Sequence, residues 1–246
     1  MGSMGGASGD RLPAKWVSDT PGDLHQQVEE FGQETAGLLS ATLPKLPLPP
    51  VRILVHENRS IIQPADGRAL PLYAKAQHLA DMKISIACAL DSSGRYLAVE
   101  ESMFNLVAVL DRTPVLRVHY RRDQGSRPSA HVHVHGHRGA LSHLLSQAGH
   151  ESPHDISSLH IPVGGSRYRP CLEDFIQFLI CECNFDSLPG WRVQVEAGRE
   201  RWRCRQAAAV VRDVPEEAAR VLRELGYTVQ APDPLPQPRA AALRNW

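Results

Sequence analysis

Hydrophobic positions along the chain follow two different periods, and the switch between them outlines the fold. Leu24, Val28, Phe31, Leu38 and Leu39 recur at helical spacing, the mark of an amphipathic helix. Asp19-Thr20-Pro21 supplies an opening for it, a capping side chain with proline at the first turn. The Pro-rich stretch from Pro44 to Pro50 ends it near Leu43. Val51 to His56 reads as a short strand and Leu70 to Asp81 as a weak helix. A run of strands follows. Lys83 to Leu90 leads into the turn Asp91-Ser92-Ser93-Gly94, and Arg95 to Glu100 joins Phe104 to Leu110 as one bulged strand. After a second turn at Asp111-Arg112-Thr113-Pro114, Val115 to Arg121 alternates, and Ala130 to His135 alternates again beyond a loop. Strands this close in sequence pair as antiparallel neighbours.

Helical patterns then return. Gly139 to Gln147 reads as a short helix, Ser152 to Gly165 as loop, and Leu172 to Cys183 and Trp191 to Val211 as longer helices. A last helix is capped at Asp213-Val214-Pro215-Glu216 and stops at Gly226, after which Tyr227-Thr228-Val229 reads as an edge strand. The expected fold class is α+β: an antiparallel β-meander of four to five strands in the middle of the chain, packed by N-terminal and C-terminal helices. One domain is expected over 15–229, with its sheet at about 51–136 and its helical part at about 139–226. Residues 1–14 are Gly/Ser-rich and expected to be disordered, with Met1-Gly2-Ser3 ahead of Met4 reading as a cloning remnant. Residues 230–246 read as a Pro-rich tail.

Composition narrows the function classes. The 27 basic and 27 acidic residues cancel, so no molecule-wide field draws the protein to nucleic acid or membrane, although a local basic face remains open. No apolar run approaches the ~20 residues of a membrane span, and no membrane partner is expected. Cys88, Cys171, Cys181, Cys183 and Cys204 are odd in number and scattered. They fit reduced core thiols in a cytoplasmic protein better than a disulfide framework.

The chemistry concentrates in His131-Val132-His133-Val134-His135-Gly136-His137. Alternate side chains on a strand point to opposite faces, so His131, His133 and His135 share one face while Val132 and Val134 share the other. The preceding strand splits the same way, with Arg117, His119 and Arg121 opposite Leu116, Val118 and Tyr120. Paired as a hairpin, the two strands make one face of histidines and arginines, in a register that sequence leaves open. Histidines of different pKa can act as general acid and base, and arginines can bind phosphate bidentately. In the leading reading His131 and His133, assisted by His119, are catalytic, Arg117 and Arg121 bind phosphate, and no cofactor is needed. That set is sufficient for metal-independent cleavage of RNA. The alternative is a metalloprotein in which His131, His133, His135 and His160 bind zinc or another transition metal. A third reading is a non-catalytic partner-binding protein with surface histidines.

Gly125-x5-His131-x-His133 resembles the opening of the cupin metal motif, which would imply a double-stranded β-helix barrel. His137 and Arg138 stand where that motif carries a glutamate, and Arg167 where its last histidine belongs. Cys181 and Cys183, two apart on a helix, point about 200° from one another and suit no common ion. Gly164-Gly165-Ser166-Arg167-Tyr168-Arg169 has amides and arginines for a phosphate but no Walker spacing. Arg199, Arg201, Arg203, Arg205 and Arg212 give the long C-terminal helix a basic face, expected to be solvated rather than a nucleic-acid dock.

Through Leu159-His160-Ile161-Pro162-Val163-Gly164-Gly165 and Arg169-Pro170-Cys171-Leu172-Glu173-Asp174 the chain resembles an uncharacterised family of actinobacterial proteins. From Arg95 to His137 it is similar in layout to the small TumE-like toxins of toxin–antitoxin pairs, which have paired strands followed by a His-rich strand. That second resemblance implies a nucleic-acid-directed enzyme, a ribonuclease-type toxin or phage-defence component, with RNA and a protein partner such as an antitoxin as its partners.

Overall fold

The computed structural model describes residues 23–110, 114–122, 128–136, 146, 151–152, 154–155, 161–163 and 165–244. Helix α1 (Leu24–Thr42) is capped by Asp23, whose carboxylate accepts from the His25 amide at 3.4 Å. The expected opening at Asp19–Pro21 lies outside the described residues. Val28, Leu38 and Leu39 form its buried stripe. Gly32 lets the helix close on the sheet, since a Cβ there would stand 2.7 Å from Ile53 Cδ1.

The strands are β1 (Val51–Val55), β2 (Ser60–Pro64), β3 (Leu70–Ala74), β4 (Gln77–Leu90), β5 (Leu97–Ala108), β6 (Pro114–Arg121), β7 (Ala130–Val134) and β8 (Ile161–Pro162). Among the described residues they form one antiparallel sheet in the order β1-β2-β4-β5-β6-β7-β8, with β3 also pairing with β4. The α+β class and the flanking helices are as expected; the meander is longer than four to five strands. The difference begins at Leu70–Asp81, expected as a weak helix and found as a β-hairpin. Leu70, Leu72, Ala80 and Met82 alternate into the core with period two. The tip is Lys75-Ala76, at φ 50° and 63°, where a two-residue turn ordinarily takes Asn-Gly. Asp186, distant in sequence, supplies what that dipeptide lacks: its carboxylate accepts from the Lys75 and Ala76 amides at 2.9 and 2.8 Å.

The helices after the sheet are α2 (Gly165–Tyr168), α3 (Leu172–Cys181), α4 (Trp191–Asp213), α5 (Pro215–Glu224) and α6 (Ala240–Arg244). Ser152–Gly165, expected as loop, contributes β8. Of the short helix expected at Gly139–Gln147, only residue 146 is described. Tyr227–Val229 forms no strand; the Tyr227 amide instead donates to Leu222 O at 3.0 Å, closing α5 around Gly226 at φ 89°. The Pro-rich tail returns to the domain where the Arg239 amide donates to Asp213 O at 2.7 Å.

Helices α1, α3 and α4 cover one face of the sheet. Val28, Leu39, Phe175, Ile176, Leu179 and Val195 meet Ile62, Leu70, Met82, Ile84, Cys88 and Phe104 there. Two arginines of α4, Arg199 and Arg205, serve this packing, while Arg203 is exposed as expected. Arg205 makes a two-point contact with Glu34 on α1 at 2.7 and 2.6 Å, and Arg199 reaches Asp174 and Gln177 on α3, both at 2.6 Å. Trp202 stacks on Phe31 at 6.3 Å, and Arg169 lies between the Trp202 and Tyr120 rings. Burial pushes the Arg169 guanidinium down to about 10, so it keeps its charge at neutral pH.

The sheet runs from β1 to β8 with consecutive pairing rather than closing as two sheets. Among the described residues it is not the cupin barrel that the motif at Gly125–His133 implies. No described helix is long and apolar enough to cross a membrane.

Candidate metal centre

Strands β6 and β7 pair so that Val118 faces Val132 and Leu116 faces Val134, while His119 faces His131 and Arg117 faces His133. Leu116 and Val118 pack against the core. The alternation then sends His119, His131 and His133 to the opposite face of the sheet. The structure thus brings three of the expected histidines together, with Arg117 and Arg121 on the same face. His135 follows the end of β7, its amide donating to Val115 O, and is not in the cluster. His160 lies outside the described residues.

One ring nitrogen from each of His119, His131 and His133 lies within 4.8 Å of the others. The rings meet nearly at right angles, with centroids 5.1 Å apart for His119–His131 and 4.8 Å for His131–His133. Zinc at about 2.0–2.1 Å from each of three tetrahedral nitrogens needs them about 3.3 Å apart. A closure of at most about 1.5 Å would bring the three nitrogens to that spacing.

Hydrogen bonds set which nitrogen two of the rings present. His131 Nδ1 donates to Pro128 O at 2.8 Å, so its lone pair is on Nε2. His119 Nε2 donates to Glu101 Oε1 at 3.2 Å, which places its lone pair on Nδ1. A carbonyl and a carboxylate behind imidazole ligands are the usual outer support of a metal site, fixing ring orientation and raising ligand basicity. His131 is 0% exposed and His119 17%.

Glu101 reaches this face because β5 is bulged. Ala87 pairs with Glu101 and Cys88 with Val99, leaving Glu100 without a partner in the ladder. Val99 and Leu97 pack on the core side; without the extra residue, Glu101 would share their face. Re-aiming a side chain in this way is a recurrent use of bulges near functional sites. Burial pushes the Glu101 carboxyl up, but the hydrogen bonds from His119 and Arg59 outweigh it and hold the group below its ordinary value. Arg59 Nη2 donates to Glu101 Oε2 at 3.2 Å. Arg117 Nε donates to Asn105 Oδ1 at 3.2 Å, and Arg121, opposite Glu101, is exposed.

Glu101, Asn105 and the Pro128 carbonyl are absent from the residues expected from sequence. Glu101 fell between the strands expected at Arg95–Glu100 and Phe104–Leu110, and its place opposite Arg121 is set only when β5 and β6 pair. The Pro128 carbonyl belongs to a loop whose path no periodicity reveals.

Other expected chemistry is used structurally. Arg167 Nε donates to the buried Asp213 at 2.8 Å, and Arg169 is stacked in the core, so the arginines of Gly164–Arg169 hold the fold. The five cysteines are free; burial pushes the Cys88 thiol up to about 12, leaving it unreactive at neutral pH. Comparisons with protein-family models, with curated proteins and with solved structures each return no match.

Proposed function

We propose that the protein is a cytoplasmic metalloenzyme in which His119, His131 and His133 hold one divalent transition metal, zinc before others. The observation that carries this reading is the convergence of three imidazoles on one point, two of them oriented from behind by Glu101 and Pro128. Imidazole suits zinc, and a closed-shell ion imposes no geometry of its own, so it tolerates the modest closure required. Among the described residues the cluster offers three protein ligands rather than the usual four of a structural zinc, which leaves a position for water and substrate. In that position water becomes a nucleophile near neutral pH. The complete burial of His131 favours this reading over metal-free acid–base cleavage of RNA, which needs both catalytic imidazoles to touch the polymer.

The test is elemental analysis of the full chain, without a tag, after zinc loading and dialysis. One zinc per chain is expected, with His133→Ala and His119→Ala retaining almost none while keeping the circular dichroism of the parent. Much less than one equivalent in the parent, or full occupancy in both folded variants, overturns the reading.

A further inference from the structure

The face that carries the three histidines also carries guanidinium groups in register with them. Arg117 is the direct cross-strand neighbour of His133, which puts their Cβ atoms about 4.5–5.5 Å apart. Its Nε is held by Asn105, a side chain on the adjacent strand that is 4% exposed. The guanidinium plane is therefore fixed before a ligand arrives, and its terminal nitrogens remain a two-pronged donor. Arg121 stands two residues beyond His119 on the same face and is exposed.

Charge follows from these positions. Three neutral imidazoles leave both charges of a divalent ion uncompensated, and Arg117 and Arg121 add two more. Among the described residues the nearby carboxylates are already committed: Glu101 to His119 and Arg59, and Glu100 to Arg59 at 3.8 Å. The ligand that fits is an anion with more than one negatively charged oxygen.

Distance decides which anion. Arg117 and the candidate ligand His133 are cross-strand neighbours, so the charged oxygens and the reacting centre must belong to one small group. A phosphate ester places its anionic oxygens and its scissile bond on the same atom. A carboxylate has no bond of its own to hydrolyse, and puts any scissile bond farther away. Resting on the metal reading above, we propose that the centre hydrolyses phosphate esters, with one phosphoryl oxygen on the metal and another on Arg117. One water adds to phosphorus and the bond from phosphorus to the leaving oxygen breaks. The proton released by the water ends on that oxygen. The products are an alcohol and a phosphate with one ester link fewer, and no further reactant is consumed.

The experiment uses the full chain loaded with zinc, its occupancy checked by elemental analysis first. Inorganic phosphate is the binding probe; 4-nitrophenyl phosphate and bis(4-nitrophenyl) phosphate are the monoester and diester substrates. Zinc-loaded protein is expected to bind phosphate and to hydrolyse one of the two esters. Arg117→Gln is expected to keep one zinc per chain, yet weaken phosphate binding and lower kcat/KM by about 10- to 100-fold, the worth of one hydrogen bond to a charged group. Arg117→Lys keeps the charge without the fork and is expected to fall between the two. Full zinc occupancy without phosphate binding or ester hydrolysis overturns the substrate assignment alone, as does an unaltered Arg117→Gln. Failure to hold zinc removes the metal reading, and this assignment with it.

Discussion

Two rows of side chains cross the same strands one residue apart, and they differ in almost every physical respect. On one face Ile84, Phe104, Val118 and Val132 are successive cross-strand partners. On the other, Ser85, Met103, His119 and His131 are. Three helices cover the first row, and its residues are bound by area and shape. The second row is not simply wet: His131, Ala87, Asn105 and Val107 are buried there as well. What distinguishes it is polarity held by specific hydrogen bonds. A buried polar group costs stability unless it is paired. Three converging imidazoles, one of them buried and two supported from behind, therefore suit a ligand, whereas the apolar row is explained by packing.

The largest separation of the two rows should come from Phe104→Ala. Phe104 is 3% exposed and packs on Phe175 at a ring distance of 5.8 Å. Its truncation should cost about 3–5 kcal/mol in denaturant unfolding, while zinc per folded chain stays unchanged. Loss of zinc from the folded fraction would mean that the rows are not separable.

Glu101→Gln probes the second row without touching the first. Zinc affinity should fall about 10- to 100-fold, as for other outer partners of imidazole ligands, with little change in unfolding free energy measured without metal. Competition with a chromophoric chelator reads the first quantity, and unaltered affinity would remove Glu101 from the site.

The smallest effect should come from the turn that joins β4 to β5 and sets the register of both rows. Asp91 Oδ1 accepts from Ser93 Oγ at 2.6 Å and from the Ser93, Arg95 and Tyr96 amides. Burial raises its carboxyl, but these bonds outweigh burial and lower it below 3.8. A lowered folded-state value gives stability that is present above the unfolded value and lost as pH falls through the folded one. The advantage of the parent over Asp91→Asn should therefore be full at neutral pH and shrink as pH drops below 3.8. An advantage that does not change with pH would contradict it.

How much of this was legible depended on whether the signal was local. The alternation in Val115–Arg121 and Ala130–His135 was enough to assign each side chain to a face, and a bulge was expected between Arg95–Glu100 and Phe104–Leu110, which the structure places at Glu100. The hairpin at Lys75-Ala76 was not legible, because the residue that stabilises its positive φ angles is Asp186, more than a hundred positions away. The cluster was legible in part. His119, His131 and His133 could be placed on one face, but which of them converge depends on a register fixed only when the strands pair. His135, equal to the others by periodicity, drops out because β7 ends at Val134.

In the proposed centre three imidazoles, and not thiols, hold the metal. X-ray absorption at the zinc edge of the loaded full chain tests it most directly. The account predicts a first shell of nitrogen and oxygen at about 2.0–2.1 Å with the outer scattering pattern of about three imidazole rings. A sulfur shell at about 2.3 Å, or an oxygen shell without imidazole scattering, would contradict it.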